Sequence, residues 1–196
     1  RTAAETVRAF GRLDVLVCCA GIEAEGSVTG MDLDEWRRVL DANLEAVMHM
    51  ARASIPAMLE GGGGSIVNVS SLAALVAPGE MTAYTTSKTA VLGLTRALAV
   101  DYGPQGIRVN TLCPGWVWTP MSQHEMRKYA EAKGITADEA VAHATRCLPL
   151  GRMAEPVEIA RCVRFLASDE ASFVTGATLV ADGGSSAVDV GYVSLL

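Results

Sequence analysis

Residues 65–88 read SIVNVSSLAALVAPGEMTAYTTSK. The run Ser65–Ser70 is short, largely apolar and β-branched, which predicts a strand that ends in a pair of hydroxyls at Ser70 and Ser71. Ala83–Tyr102 carries apolar positions at helical spacing and is stopped by Gly103-Pro104, which predicts a long helix. Tyr84 and Lys88 therefore lie one turn apart on one helix face, close behind a strand end.

The same order recurs in both directions from this stretch. Leu13–Cys18, Ile107–Leu112 and Thr178–Ala181 also read as strands. Asp32–Leu59 reads as a helix with Asp32 as N-cap, Pro156–Ser168 as a helix with a first-turn proline, and Ala3, Ala4, Val7 and Phe10 as part of another. Strands that are apolar on both faces and alternate with helices predict an α/β fold, a doubly wound parallel sheet with helices on both sides. Thr119–Gly151 interrupts the rhythm with two shorter helical patterns, Met121–Ala132 and Ala137–Cys147, as expected of a substrate lid at about residues 119–151. Gly61–Gly64 follows a helix, precedes a strand and lacks a GK[ST] ending, so it reads as a turn and not a phosphate loop. With no repeat and no linker, residues 1–196 are expected to form one domain.

Composition narrows the partners. The net charge of −6 is spread over 16 basic and 22 acidic residues without a long block of one sign, which gives no footprint for nucleic acid or an anionic membrane. No apolar run reaches the roughly 18 residues of a membrane span. The five cysteines lack CxxC spacing and sit mostly in apolar runs, which favours a reducing, cytoplasmic setting and structural thiols. Cys18 and Cys19 are adjacent on a strand and point to opposite faces, so no metal site is expected there.

The chemistry concentrates at Tyr84, Lys88 and Ser71. An ammonium one turn from a phenol favours the phenolate, so the two make an acid–base pair. Ser71 lies thirteen residues before Tyr84, at the carboxyl end of a strand, where parallel α/β sheets bind their ligands. Its hydroxyl can hold a substrate oxygen while Tyr84 exchanges the proton.

These residues resemble the short-chain dehydrogenase/reductase family, as parts of six segments that stand in family order. Leu13-Asp14-Val15-Leu16-Val17 with Ala20-Gly21 resembles the central strand and its NNAG turn, and Asp41-Ala42-Asn43-Leu44 the NxNL segment. Ser65–Ser71 resembles the catalytic-serine strand and Tyr84-Thr85-Thr86-Ser87-Lys88 the YxxSK signature. Ile107-Arg108-Val109-Asn110 leading to Pro114-Gly115 and Thr119-Pro120 resembles the cofactor-contacting segment, and Thr175-Gly176 through Asp182-Gly183-Gly184 the carboxyl-terminal end.

The resemblance implies a Rossmann-type fold and hydride transfer between NAD or NADP and a secondary alcohol or ketone. Tyr84 would be the general acid/base and Ser71 would orient the substrate oxygen. Lys88 would support the phenolate and bond the nicotinamide ribose, and Asn43 would hold a water linking Lys88 to solvent, unless it serves only to bond backbone at a helix distortion. Ala20, Gly21, Pro114, Gly115, Val117 and Thr119 would join Tyr84 and Lys88 in contacting the cofactor, and Leu72, Trp116 and Met121 would face the substrate. A homodimer or homotetramer is implied as well.

Two departures qualify the match. Cys18 and Cys19 stand where the family has paired asparagines, which removes an amide that would brace the neighbouring strand. No glycine-rich TGxxxGxG loop is present, and residue 1 is an arginine inside a helical pattern, so two strand–helix units, on the order of 70–80 residues, are expected to precede it. The missing loop leaves open a rival reading as a non-catalytic interaction subunit. A family epimerase or dehydratase is a second rival.

Overall fold

A computed structural model describes residues 1–189 and 191. Its elements run α1 (Thr2–Phe10), β1 (Val15–Cys18), α2 (Leu33–Leu40), α3 (Ala46–Glu60), β2 (Gly64–Val69), α4 (Thr82–Tyr102), β3 (Ile107–Pro114), α5 (Pro120–Lys133), α6 (Ala137–Thr145), α7 (Pro156–Ala167) and β4 (Thr178–Ala181). The four strands form one sheet in the order β1-β2-β3-β4. β1 pairs with β2 and β2 with β3 in parallel, with Leu16 opposite Ile66 and Ile66 opposite Val109.

Strand period places successive side chains on opposite faces, and both faces are used. Leu16, Ile66 and Val109 pack on Ala51, Ile55 and Met58 of α3 and Ala99 of α4, forming the main core. On the other face Ser65 donates its hydroxyl to the Leu166 carbonyl of α7 (3.0 Å). The sheet is thus wound on both sides, as the alternation of elements predicts. Gly61–Gly64 is a turn: Gly63 sits at φ 132°, and a Cβ there would come within 2.6 Å of the Gly106 carbonyl oxygen.

Asp32 caps α2, its carboxylate accepting from the Asp34 N–H. The single helix expected over Asp32–Leu59 is broken by a π-turn at Asp41–Glu45, where the Ala46 N–H reaches back five residues to the Asp41 carbonyl. The wide turn carries Asn43, whose side-chain hydrogen bonds are described below.

The chain divides into two compact units, one of Arg1–Cys113 with Val163–Leu179, the other of Pro114–Cys162 with the segment from Val180 onward. In the second, Thr119 and Thr136 open α5 and α6 with reciprocal capping boxes, and Gly134 ends α5 in the left-handed conformation. Met126, Ala130, Ala140 and Met153 form a separate small core between the two helices, with Trp116 packed against it. No helix of the described residues is long and apolar enough to cross a membrane.

Candidate active site

The first unit gathers Gly21, Asn43, Tyr84 and Lys88 around one point. Tyr84 and Lys88 lie on the first turns of α4, and the Lys88 ammonium stands 5.7 Å from the centre of the Tyr84 ring. Lys88 is 4% exposed and donates to the Val69 carbonyl at the end of β2 (3.2 Å). Burial pulls its pKa below the ordinary lysine value, opposed by the nearby Cys19 and Cys113 thiols. A Cβ on Gly21 would meet Lys88 Nζ at 3.1 Å and Asn43 Oδ1 at 3.2 Å, so the turn after β1 must lack a side chain to pass this close.

Asn43 is buried, with its amide oxygen and its amide nitrogen both hydrogen-bonded. Its Oδ1 accepts from the Ile22 N–H (2.8 Å), and its Nδ2 donates to the Ile22 carbonyl (2.8 Å) and to Ser87 Oγ (3.0 Å). Ser87 donates in turn to the Tyr84 carbonyl (2.8 Å). The π-turn therefore turns an amide toward the segment after β1, giving two backbone groups there the partners that a strand would have supplied. This is the backbone-bonding role noted for a mid-helix asparagine, and it places Asn43 beside Lys88.

Ser71 follows β2 in extended conformation and accepts from the Ala73 N–H (3.1 Å), opening a short 3-10 turn at Leu72–Ala74. Leu72 lies in that turn, partly exposed. Ser70 is buried and donates to the Lys88 carbonyl (2.8 Å), and Thr89 donates to the Ala74 carbonyl (3.2 Å). Ser70 does not stand out in the sequence, where it reads as a simple turn residue; Ser87 is part of the YxxSK stretch, three residues after Tyr84 on one helix face.

Two thiols border the cluster. Burial pushes Cys113 up, while the Ser70 hydroxyl, the Ser71 N–H and the Lys88 ammonium pull it down. Cys18 is pushed up to about 11 by burial, helped by Cys19. Cys18 pairs with Asn68 on β2, and Asn68 Oδ1, fully buried, has no hydrogen-bond partner.

Ala20 is exposed on the turn after β1. Pro114, Gly115, Trp116, Val117, Thr119 and Met121 belong to the second unit. There Gly115 is required by packing, since a Cβ would lie 2.8 Å from the Asp182 Cα. Val117 bridges Ala154, Thr119 caps α5, and Met121 is exposed on its first turn. Trp116 also lines a cavity of about 160 Å³ with Leu148, Ile159 and Cys162, edged by the Arg152–Glu158 ion pair (2.7 Å).

The residues present fit a nicotinamide nucleotide. A nearly buried ammonium uses one of its three N–H groups on Val69, and a glycine turn passes beside it, which suits ribose hydroxyls as the remaining acceptors.

Comparison with known proteins bears on the same assignment. A family model described as enoyl-(acyl carrier protein) reductase matches residues 1–186. Trans-4-hydroxycyclohexanecarboxylate dehydrogenase of Sinomonas cyclohexanicum is 45% identical over 181 residues, which are 92% of this chain and 63% of that protein's length. The ligand-free structure of Thermoplasma acidophilum aldohexose dehydrogenase superposes with a TM-score of 0.92 at 36% identity, covering 96% of this chain and 74% of that one. A short chain dehydrogenase family protein from Francisella tularensis gives 0.85 at 35%, covering 95% and 77%. With sheet order, site spacing and these matches in agreement, the chain belongs to the short-chain dehydrogenase/reductase family.

Proposed function

We propose that the protein is an NAD(P)-dependent oxidoreductase that interconverts a secondary alcohol and a ketone. The observation that carries the reading is the Lys88 ammonium, nearly buried and 5.7 Å from the Tyr84 ring centre, in a cluster that also holds Gly21 and Asn43. In low dielectric such a charge favours the phenolate, so Tyr84 can take a proton from an alcohol or return one to a ketone oxygen. Ser71 spends an acceptor lone pair on the Ala73 N–H, which leaves its O–H to donate to the substrate oxygen. Bound NAD or NADP supplies the hydride chemistry. Lys88 holds its ribose, Ala20 and Gly21 pass beside its nucleoside end, and Pro114, Gly115, Val117 and Thr119 seat the nicotinamide.

Beside its bonds to Ile22 and Ser87, Asn43 keeps a second lone pair on Oδ1, which holds a water that connects Lys88 to solvent. Residues 1–196 act as one catalytic domain in which the α5–α6 hairpin, within about 119–151, forms the lid. Leu72, Trp116 and Met121 give the substrate an apolar surface. The working form is a homodimer or homotetramer in the cytoplasm.

The test is Tyr84→Phe in the intact protein, assayed on a panel of secondary alcohols with NAD⁺ and NADP⁺. Turnover should fall by at least about 100-fold, the usual contribution of a general acid/base, while cofactor binding persists. Near-normal turnover on an accepted alcohol would remove Tyr84 from the reaction.

A further inference from the structure

Three bonds stitch the chain around Ser71 to the helix that carries Tyr84 and Lys88. Lys88 Nζ donates to the Val69 carbonyl (3.2 Å), Ser70 Oγ to the Lys88 carbonyl (2.8 Å) and Thr89 Oγ1 to the Ala74 carbonyl (3.2 Å). The Ser70 bond is the shortest of the three, and Ser70 is only 5% exposed, so water cannot easily replace it. Ser70 is also fixed through its backbone, its N–H donating to the Leu112 carbonyl of β3 (2.8 Å).

We propose that Ser70 is a positioning residue, which sets the distance between the Ser71 hydroxyl and the Tyr84–Lys88 pair by tying the end of β2 to the Lys88 carbonyl. The assignment rests on the reaction proposed above. The Lys88 carbonyl lies inside a long helix and already serves the helix ladder, so the Ser70 bond does not rescue an orphaned group. Its loss leaves no buried polar atom stranded, and the effect on stability is correspondingly small. What the bond adds is registry. The residue next to Ser70 holds the substrate oxygen, and the residue it grips carries the ammonium, so one short bond spans the two halves of the catalytic group. Reacting groups need near-attack geometry, and a displacement on the order of 1 Å costs about 100-fold in rate.

The experiment compares Ser70→Ala and Ser70→Thr with the unaltered protein, reading kcat, the KM values for alcohol and cofactor, the melting temperature and amide exchange. Ser70→Ala should lower kcat by about tenfold or more with both KM values within about threefold, the split expected when transition-state geometry alone is lost. Ser70→Thr keeps the hydroxyl and should restore most of kcat. The Ala73 N–H, bonded to Ser71 Oγ, should exchange faster in Ser70→Ala. A normal kcat in Ser70→Ala, in a protein that Tyr84→Phe disables, would overturn the positioning role and leave the reaction intact. If no secondary alcohol is turned over, the reaction reading fails, and the exchange of Ala73 decides alone: unchanged protection overturns the proposal. A Ser70→Ala protein that melts far below the parent or fails to fold would also overturn it, since Ser70 would then support the fold as a whole.

Discussion

Replacing Asn43 with alanine removes three hydrogen bonds at once, two to the backbone of Ile22 and one to Ser87. Each such bond contributes about 0.5–1.5 kcal/mol net, giving about 1.5–4.5 kcal/mol in total. Ile22 is only partly buried, so water can recover some of its N–H and carbonyl bonding, and the lower half of the range applies. A loss of about 2 kcal/mol corresponds to a fall of about 4–8 °C in Tm for a chain of this size. The measurement is a thermal melt followed by circular dichroism, with a urea titration to check that the m-value is unchanged. Asn43→Asp is the informative companion: it keeps an acceptor for the Ile22 N–H, loses both donor bonds and buries a charge, so it should be no more stable than Asn43→Ala. A shift below about 1 °C in Asn43→Ala would refute the view that this amide organises the turn after β1.

Lys88→Met gives a pH-dependent test. Burial lowers the folded-state pKa of Lys88, so between that value and the unfolded value near 10.5 the unfolded chain binds more protons, and stability rises with pH. Below the folded pKa the cost of burying the ammonium is present in full. The stability of the unaltered protein relative to Lys88→Met should therefore improve as pH climbs through the alkaline window, and parallel curves by urea denaturation would show that Lys88 is not desolvated. Trp116→Ala should cost about 2 kcal/mol or more, as expected for a large side chain packed against a core, and should change substrate preference more than nicotinamide affinity. Loss of stability with an unaltered preference across an alcohol panel would confine Trp116 to its packing role.

The strands and their parallel sheet were legible because β-branched runs such as those at 65–69 and 107–112 are short, apolar on both faces and punctuated by turns. Tyr84, Lys88 and Ser71 were legible because helix period and strand-end position give short-range spacings a spatial meaning. The π-turn was not. Apolar positions keep helical spacing on both sides of Asp41–Glu45, and one extra residue is a phase slip that a short window absorbs. Ser70 stayed hidden for a different reason: it donates to the Lys88 carbonyl of another element, which sequence alone cannot bring near. Gly115 reads naturally as part of a cofactor turn, yet its close neighbour is Asp182, a contact that needs the whole second unit to form. Trp116 shows the ambiguity of large apolar residues, since the same side chain packs against Met126 and Met153 and lines a cavity.

The π-turn at Asp41–Glu45 has the form of a single inserted codon. A helix that takes up one extra residue as a wide turn keeps its flanks in place, so Val39 before it and Val47 after it both stay buried. Removing one residue from this segment would let α2 and α3 close into one regular helix with better backbone hydrogen bonding and the same packed faces. The shortened chain would gain helix regularity while Asn43, or whatever residue then held its place, turned away from Ile22 and Ser87. The gain in backbone regularity would be set against the loss of the three Asn43 hydrogen bonds, worth about 2 kcal/mol. The length of this segment, more than the identity of most residues in it, sets whether an amide reaches the chain after β1.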